Sequence, residues 1–257
     1  AATRALTEKW ISSYEARRRR PVAHEVPEEI PEPPPDPHPI QQQALEALRQ
    51  TREAGNKSGL VVLATGLGKT WLSAFDSMGY DRVLFIAHRE EILDQALRTF
   101  RRIRPNARLG QLTGKRKDAD ADVLFASVQT LSRRAHLRQF AADHFDYIVM
   151  DEFHHAAAQT YRRLIDHFDP AFFLGLTATP ERTDGGDLLS LCDENLVFRR
   201  DIPDGIEEGL LCPFHYYGVP DEVDYTNIPW RSTHFDEEAL TQALATQARA
   251  ANALDQY

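Results

Sequence analysis

Glycine, lysine and threonine converge at Thr65-Gly66-Leu67-Gly68-Lys69-Thr70, and the chemistry open to that combination is the capture of a phosphate chain. Glycines let successive backbone N–H groups turn toward one anion, and the start of a following helix adds the positive end of its dipole. In such a loop Lys69 reaches the β- and γ-phosphates, and the Thr70 hydroxyl ligates Mg²⁺. The general spacing G-x-x-x-x-G-K-[ST] places its first glycine at position 63, where this chain has leucine. A shorter form of A-x-x-G-x-G-K-T fits, with Thr65 alone between Ala64 and Gly66. The competing interpretation is an ordinary glycine-rich turn, against which the placement of Gly68-Lys69-Thr70 at the head of a helical pattern argues.

A second set is acidic. Asp151 and Glu152 follow the apolar run Tyr147-Ile148-Val149-Met150, and Asp151 lies 82 residues after Lys69. Two carboxylates at the carboxyl end of a parallel strand stand in the crevice where α/β sheets bind ligands. Asp151 is placed to hold Mg²⁺, and Glu152 to orient and deprotonate the water that attacks a γ-phosphate. His154 is a candidate sensor of that phosphate or a contact to the next segment. Adjacent His154 and His155 lack the spacing that puts two metal ligands on one helix face. Taken alone, the pair also fits a solvated strand end or charges at a helix start. A third polar set, Thr177 and Thr179, follows Phe172–Leu176 and offers a hydroxyl link between the first two; the alternative is a cap and turn before Pro180.

The elements that must position these groups alternate. Strand candidates are 60–64, 82–87, 108–112, 122–126, 146–150 and 172–176, with helices expected at 41–53, 69–78, 89–102 and 157–168. Residues 213–219 are a further strand candidate. This βα alternation implies an α/β fold, a mainly parallel sheet with helices on both faces. Residues 1–20 carry an amphipathic helix with Leu6, Trp10 and Tyr14 every four residues, ending in Arg17–Arg20. Residues 21–38 form a Pro- and Glu-rich linker that includes Pro31-Glu32-Pro33-Pro34-Pro35-Asp36-Pro37. The catalytic domain is expected over 39–218, followed by an acidic connector, 219–257, with a helix over 236–256.

The 257 residues are 42% hydrophobic and 27% charged, enough for one α/β domain with extensions. No apolar run approaches the ~18–20 residues of a membrane span, and there is no signal-peptide pattern, so no membrane partner is expected. Cys192 and Cys212 are the two cysteines and lack a metal-ligand repeat; no disulfide is expected between them, in keeping with a reducing, cytoplasmic setting. The net charge of −9 argues against nucleic-acid binding through bulk positive charge. Residues 219–257 hold seven carboxylates against two arginines, a net of −5, which leaves −4 for the rest. Arg98–Arg104, Lys115–Lys117 and Arg133–Arg138 are local basic patches, equally consistent with a nucleic-acid groove and with solvated helix faces.

At this point the residues match a family. Ala64-Thr65-Gly66-Leu67-Gly68-Lys69-Thr70, Asp151-Glu152-Phe153-His154 and Thr177-Ala178-Thr179-Pro180 together resemble the first RecA-like domain of superfamily 2 helicases and translocases, in the DEAH-like branch that includes restriction-enzyme motor subunits. Val83–Glu91 is similar to motif Ia, Ala126–Leu131 to the motif Ib region, and Gln111-Leu112-Thr113-Gly114 to the turn between them. Pro39-Ile40-Gln41 resembles the upstream glutamine motif, with His38 and Ile40 where the family usually has arginine and tyrosine. Glu207–Phe214 is similar to bacterial DEAD/DEAH-box proteins with an upstream phospholipase-D-like nuclease domain; an H-x-K-x₄-D nuclease signature is absent.

The resemblance implies ATP and Mg²⁺ as cofactors, with Gln41 reading the adenine edge. It also implies nucleic acid as partner, contacted by Arg89, Gly114 and Thr130. DNA is expected over RNA, with backbone contacts that carry affinity without sequence information. Superfamily 2 motors place ATP between two RecA-like domains, the second supplying arginine. That second domain is expected elsewhere in a longer protein, so this segment should bind nucleotide and hydrolyse it weakly. Two other outcomes stay open: a motor subunit of a restriction or defence system, and a non-hydrolysing nucleotide-binding scaffold.

Overall fold

The computed structural model describes residues 35–153, 159–179, 188–215, 225–231 and 234–246, all within one compact unit that begins at Pro35. The helix expected over 1–20, most of the linker, His154, Pro180, and the ends of the 213–219 and 236–256 segments lie outside the described residues.

All six expected strands form: β1 (Ser58–Leu63), β2 (Val83–Ala87), β3 (Leu109–Leu112), β4 (Val123–Ser127), β5 (Tyr147–Met150) and β6 (Phe172–Thr177). With β7 (Leu196–Arg200) they build a seven-stranded sheet of order β3-β4-β2-β5-β6-β1-β7, in which every pairing is parallel. The central runs are apolar at every position because both faces are covered. Side chains alternate across a strand. Val61, Leu63, Phe85, Phe125, Val149 and Leu174 thus enter one buried cluster, and Leu60, Val62, Leu84, Ile86, Ile148 and Phe173 the other.

On the first face lie α1 (Pro39–Glu53), α2 (Lys69–Asp76) and α3 (Glu90–Ile103). The second is covered by the one-turn helices α4 (Val128–Leu131) and α5 (Arg134–Leu137) together with α6 (Gln159–His167). Helix α1 starts at Pro39, ahead of the expected position, because His38 caps it and proline suits the first helical position. In α3, Glu90 and Glu91 open the helix and Arg101 and Arg102 close it, the arrangement that complements its dipole.

Some expectations are corrected. Residues 213–215 are not a strand. Among the described residues the late helix covers Glu237–Leu244 (α8), capped by Asp236. Edge strand β7, helix α7 (Ile202–Glu207), and the ribbon β8 (Trp230–Arg231) with β9 (His234–Phe235) were not expected. The basic stretch at 98–104 is partly structural: Arg104 donates to the carbonyls of Ser77 and Tyr80 at 2.9 and 2.8 Å, and the Arg102 guanidinium lies over the Trp71 ring, 5.3 Å from its centroid.

Candidate active site

The strand order decides the geometry. Strand β6 lies between β1 and β5, with Val62 opposite Thr177 and Met150 opposite Gly175. The phosphate loop leaving β1 and the acidic pair leaving β5 therefore stand two strand spacings apart, ~10 Å, at the same edge of the sheet. Thr177 ends the strand between them.

Gly66 and Gly68 take φ of +93° and +75°, a region that L side chains rarely adopt, so the loop requires glycine at both positions. Gly68 caps α2, whose first amide donors have no partner within the helix and face whatever anion sits at its start. Lys69 Nζ donates to Leu63 O at 3.2 Å, which folds the ammonium back over the loop. Thr65 and Gly66 are exposed, and Thr70 is half-buried on the first turn of α2.

Two side chains from the start of α1 grip the loop's carbonyls. Gln41 Nε2 donates to Gly68 O at 3.1 Å, and His38 Nε2 donates to Leu67 O at 3.2 Å. His38 Nδ1 accepts from the Gln41 amide at 3.3 Å, so the two bonds together fix the neutral Nε2–H tautomer. Gln41 Oε1 in turn accepts from the His38 amide at 3.1 Å. Gln41 is buried with both ends of its amide engaged by protein; contact with an adenine edge would exchange one of these bonds.

Across β6, Asp151 extends the ladder by donating its amide to Ile86 O at 2.9 Å. Its side chain is 5% exposed. Burial, and then the neighbouring Glu152 charge, push the carboxyl up to about 6, while the Glu152 amide and the Lys69 ammonium pull the other way. Glu152 has φ +52°, in the left-handed region that is uncommon for non-glycine residues, and its amide donates to Asp151 Oδ1 at 3.0 Å. Tyr161 on α6 is buried, and that burial together with the Glu152 and Asp151 charges pushes its phenol up to about 12. No sequence signal marked Tyr161, which sits on a separate helix.

The remaining candidates separate. Thr177 is buried, its Oγ1 donating to Thr179 O at 3.0 Å and accepting the Thr179 amide at 3.2 Å, a local turn of the kind the alternative interpretation described. Arg89 and Gly114 are exposed at the carboxyl edge of the sheet, after β2 and β3. Thr130 is buried, and its hydroxyl accepts from Ser127 Oγ at 2.9 Å. That hydroxyl is turned inward, so Arg89 and Gly114 are the two surface candidates of the three. Beside Gly114, Arg116 is tied to Asp94 at 2.9 Å and Lys117 Nζ to Thr113 O at 2.8 Å.

Comparison with known proteins agrees with this geometry. The family model described as type III restriction enzyme, res subunit, matches residues 35–182, more than half of the chain. The putative ATP-dependent helicase IRC3 of Saccharomyces cerevisiae is 30% identical over 226 residues, which is 80% of this chain and 32% of that protein. The type I restriction enzyme EcoAI endonuclease subunit of Escherichia coli is 30% identical over 206 residues, 74% of this chain and 25% of that protein. The chain thus spans about a third or less of the length of these curated relatives. Among solved structures, a nuclease-deletion mutant of the type ISP restriction-modification enzyme LlaGI, in complex with a DNA substrate mimic, shares the fold with a TM-score of 0.53 at 17% identity, covering 68% of this chain and 21% of that one.

Proposed function

Because the chain belongs to the type III restriction enzyme res-subunit family, and with it to the restriction-enzyme motor branch of superfamily 2 helicases, we propose that it is the first RecA-like domain of an ATP-driven helicase or translocase acting on DNA. The observation that carries this is the flanking of one strand, β6, by the Lys69 loop on β1 and the acidic pair on β5. Lys69, Gly66, Gly68 and the amides at the start of α2 bind the phosphates. Thr70 and Asp151 would hold Mg²⁺, and Glu152 orients and deprotonates the attacking water.

The donor set suits that cation. Thr70 and Asp151 offer hard oxygen, and among the described residues no group of three or more His, Cys, Asp or Glu forms a protein cage. A cation held here would draw its remaining ligands from phosphate and water oxygens, the habit of Mg²⁺. When bound, it neutralises charge on the β- and γ-phosphates. Burial raises the Asp151 carboxyl to about 6, and a cation beside it would favour the ionised form further.

Arg89 and Gly114 are the surface candidates for backbone contact with DNA, and a second RecA-like domain is the expected partner across the nucleotide. Among the described residues no helix is long and apolar enough to cross a membrane. The free thiols of Cys192 and Cys212 fit a reducing, cytoplasmic setting.

ATP turnover by this chain, with and without double-stranded DNA, tests the assignment. Slow turnover that Glu152→Gln abolishes is the expected result. Fast DNA-stimulated turnover would show a self-sufficient ATPase, and turnover indifferent to Glu152→Gln would remove Glu152 from the mechanism.

A further inference from the structure

The phosphate loop is gripped on a second side, by a segment beyond the residues that the family model matches. Strand β7 lies beside β1, and Arg200 O accepts the Ala64 amide at 3.0 Å, tying the end of β7 to the entry of the loop. Helix α7 follows, held by a reciprocal cap between Asp201 and Asp204. The chain then reverses at Gly209 (φ +69°), and the amides of Leu210 and Leu211 both donate to Gly205 O at 2.9 Å.

That reversal folds the Leu211 side chain back onto the loop. A Cβ placed on Gly66 would lie 2.8 Å from Leu211 Cδ2. A Cβ placed on Gly205 would lie 2.7 Å from Leu211 Cδ1 and 2.8 Å from Leu67 Cδ2. Gly205 is buried between these two leucines, and Leu67 is fully buried. The loop is thus held between two walls. His38 and Gln41 fix the carbonyls of Leu67 and Gly68, while Leu211 packs on Gly66 and, through Gly205, on Leu67.

From this packing we infer that Leu211 is a positioning residue for nucleotide: the Gly209–Leu211 turn fastens the phosphate loop in its binding conformation, and nucleotide occupancy and the seating of that turn are coupled. The inference rests on the assignment of ATP to this loop. Any effect of the turn on nucleotide affinity must be matched by an equal effect of nucleotide on the turn. The chain continuing from Cys212 would therefore register whether the loop is filled.

Cys212 supplies the reporter, being exposed and free one residue after Leu211, whereas Cys192 is buried. The experiment compares wild type, Leu211→Ala, Leu211→Met and, as control, Leu210→Ala, whose side chain is exposed. MgATP affinity and the rate of Cys212 modification with and without saturating MgATP are measured on each. The expected result is a Cys212 rate in wild type that changes severalfold with MgATP. Leu211→Ala loses that response and on the order of tenfold in affinity, while Leu211→Met and Leu210→Ala retain both. Equal affinity and an equal Cys212 response in wild type and Leu211→Ala would overturn the role of Leu211 and leave the ATP assignment standing. Failure of wild type to bind MgATP would overturn both. Loss of affinity in Leu210→Ala as well would reduce the effect to general destabilisation and overturn it too.

Discussion

Replacing Gly175 by alanine should unseat the acidic pair without touching it. Gly175 lies in the middle of β6, opposite Leu60 on one side and Met150 on the other. A methyl group there would sit 2.9, 3.0 and 3.2 Å from Cδ1, Cγ and Cε1 of Phe153. Phe153 is fully buried and packed against Phe173 with ring centroids 5.7 Å apart, so the ring cannot swing into solvent. Comfortable carbon–carbon contact needs about 3.5–4.0 Å, which asks the ring to retreat by roughly half an ångström or more. Phe153 follows Asp151 and Glu152 in the chain, so the retreat is transmitted to the carboxylates. The cost of such overpacking is about 1–3 kcal/mol, or ~2–4 °C of Tm for each kcal/mol in a domain of this size. The assay is thermal unfolding together with ATP affinity in Mg²⁺ and in EDTA; the expected loss falls on the Mg²⁺-dependent part. The double variant Gly175→Ala with Phe153→Leu should recover ~1 kcal/mol or more relative to the sum of the single changes. Gly175→Ala with wild-type Tm and wild-type Mg²⁺ dependence would refute the reasoning.

Further outcomes follow from the same geometry. Asp151→Asn should stabilise the nucleotide-free protein at neutral pH while weakening its Mg²⁺-dependent ATP binding. The folded carboxyl titrates near 6 against an ordinary 3.8, so the native state holds its proton more tightly than the unfolded chain. Stability from this group is full below ~4 and is lost as pH rises to about 6, ~3 kcal/mol at ~1.4 kcal/mol per pH unit. Denaturant titrations from pH 4 to 8 should show that fall in wild type and a flatter profile in Asp151→Asn; parallel profiles would contradict it. A thiol reagent at pH 8 should modify one cysteine of the two in the native protein. Burial pushes the Cys192 thiol up to about 12, so it should react only with unfolding, whereas Cys212 is exposed. Rapid modification of both in the native state would count against the packing around β6.

The sequence made legible whatever is central and doubly buried. Tyr147–Met150 and Val83–Ala87 are apolar at every position because helices cover both faces, and a continuous run bounded by polar residues has few other interpretations. The Lys69 loop and Asp151-Glu152 were legible because each follows such a run. Edge strand β7 was not: its Leu196, Val197, Phe198, Arg199 and Arg200 are exposed or half-exposed, and its register on β1 shifts between Leu60 and Val61. Helices of one turn, such as Val128–Leu131, are too short to show a period. The contacts that hold the loop were hidden for another reason. His38 and Gln41 bond to backbone carbonyls, and Leu211 packs on a glycine, so the partner carries no side-chain signature. Thr130 illustrates the reverse error, since its position in a motif did not reveal that its hydroxyl points at Ser127.

The central claim is that Lys69 and its loop bind the phosphates of ATP beside Asp151. Its most direct test is calorimetric titration of MgATP into wild type and into Lys69→Ala at matched folding stability. The account predicts saturable one-site binding by wild type and a loss on the order of 30-fold in Lys69→Ala, the ~2 kcal/mol of a charge-assisted bond. Equal MgATP binding by the two proteins, or none by wild type, would contradict it.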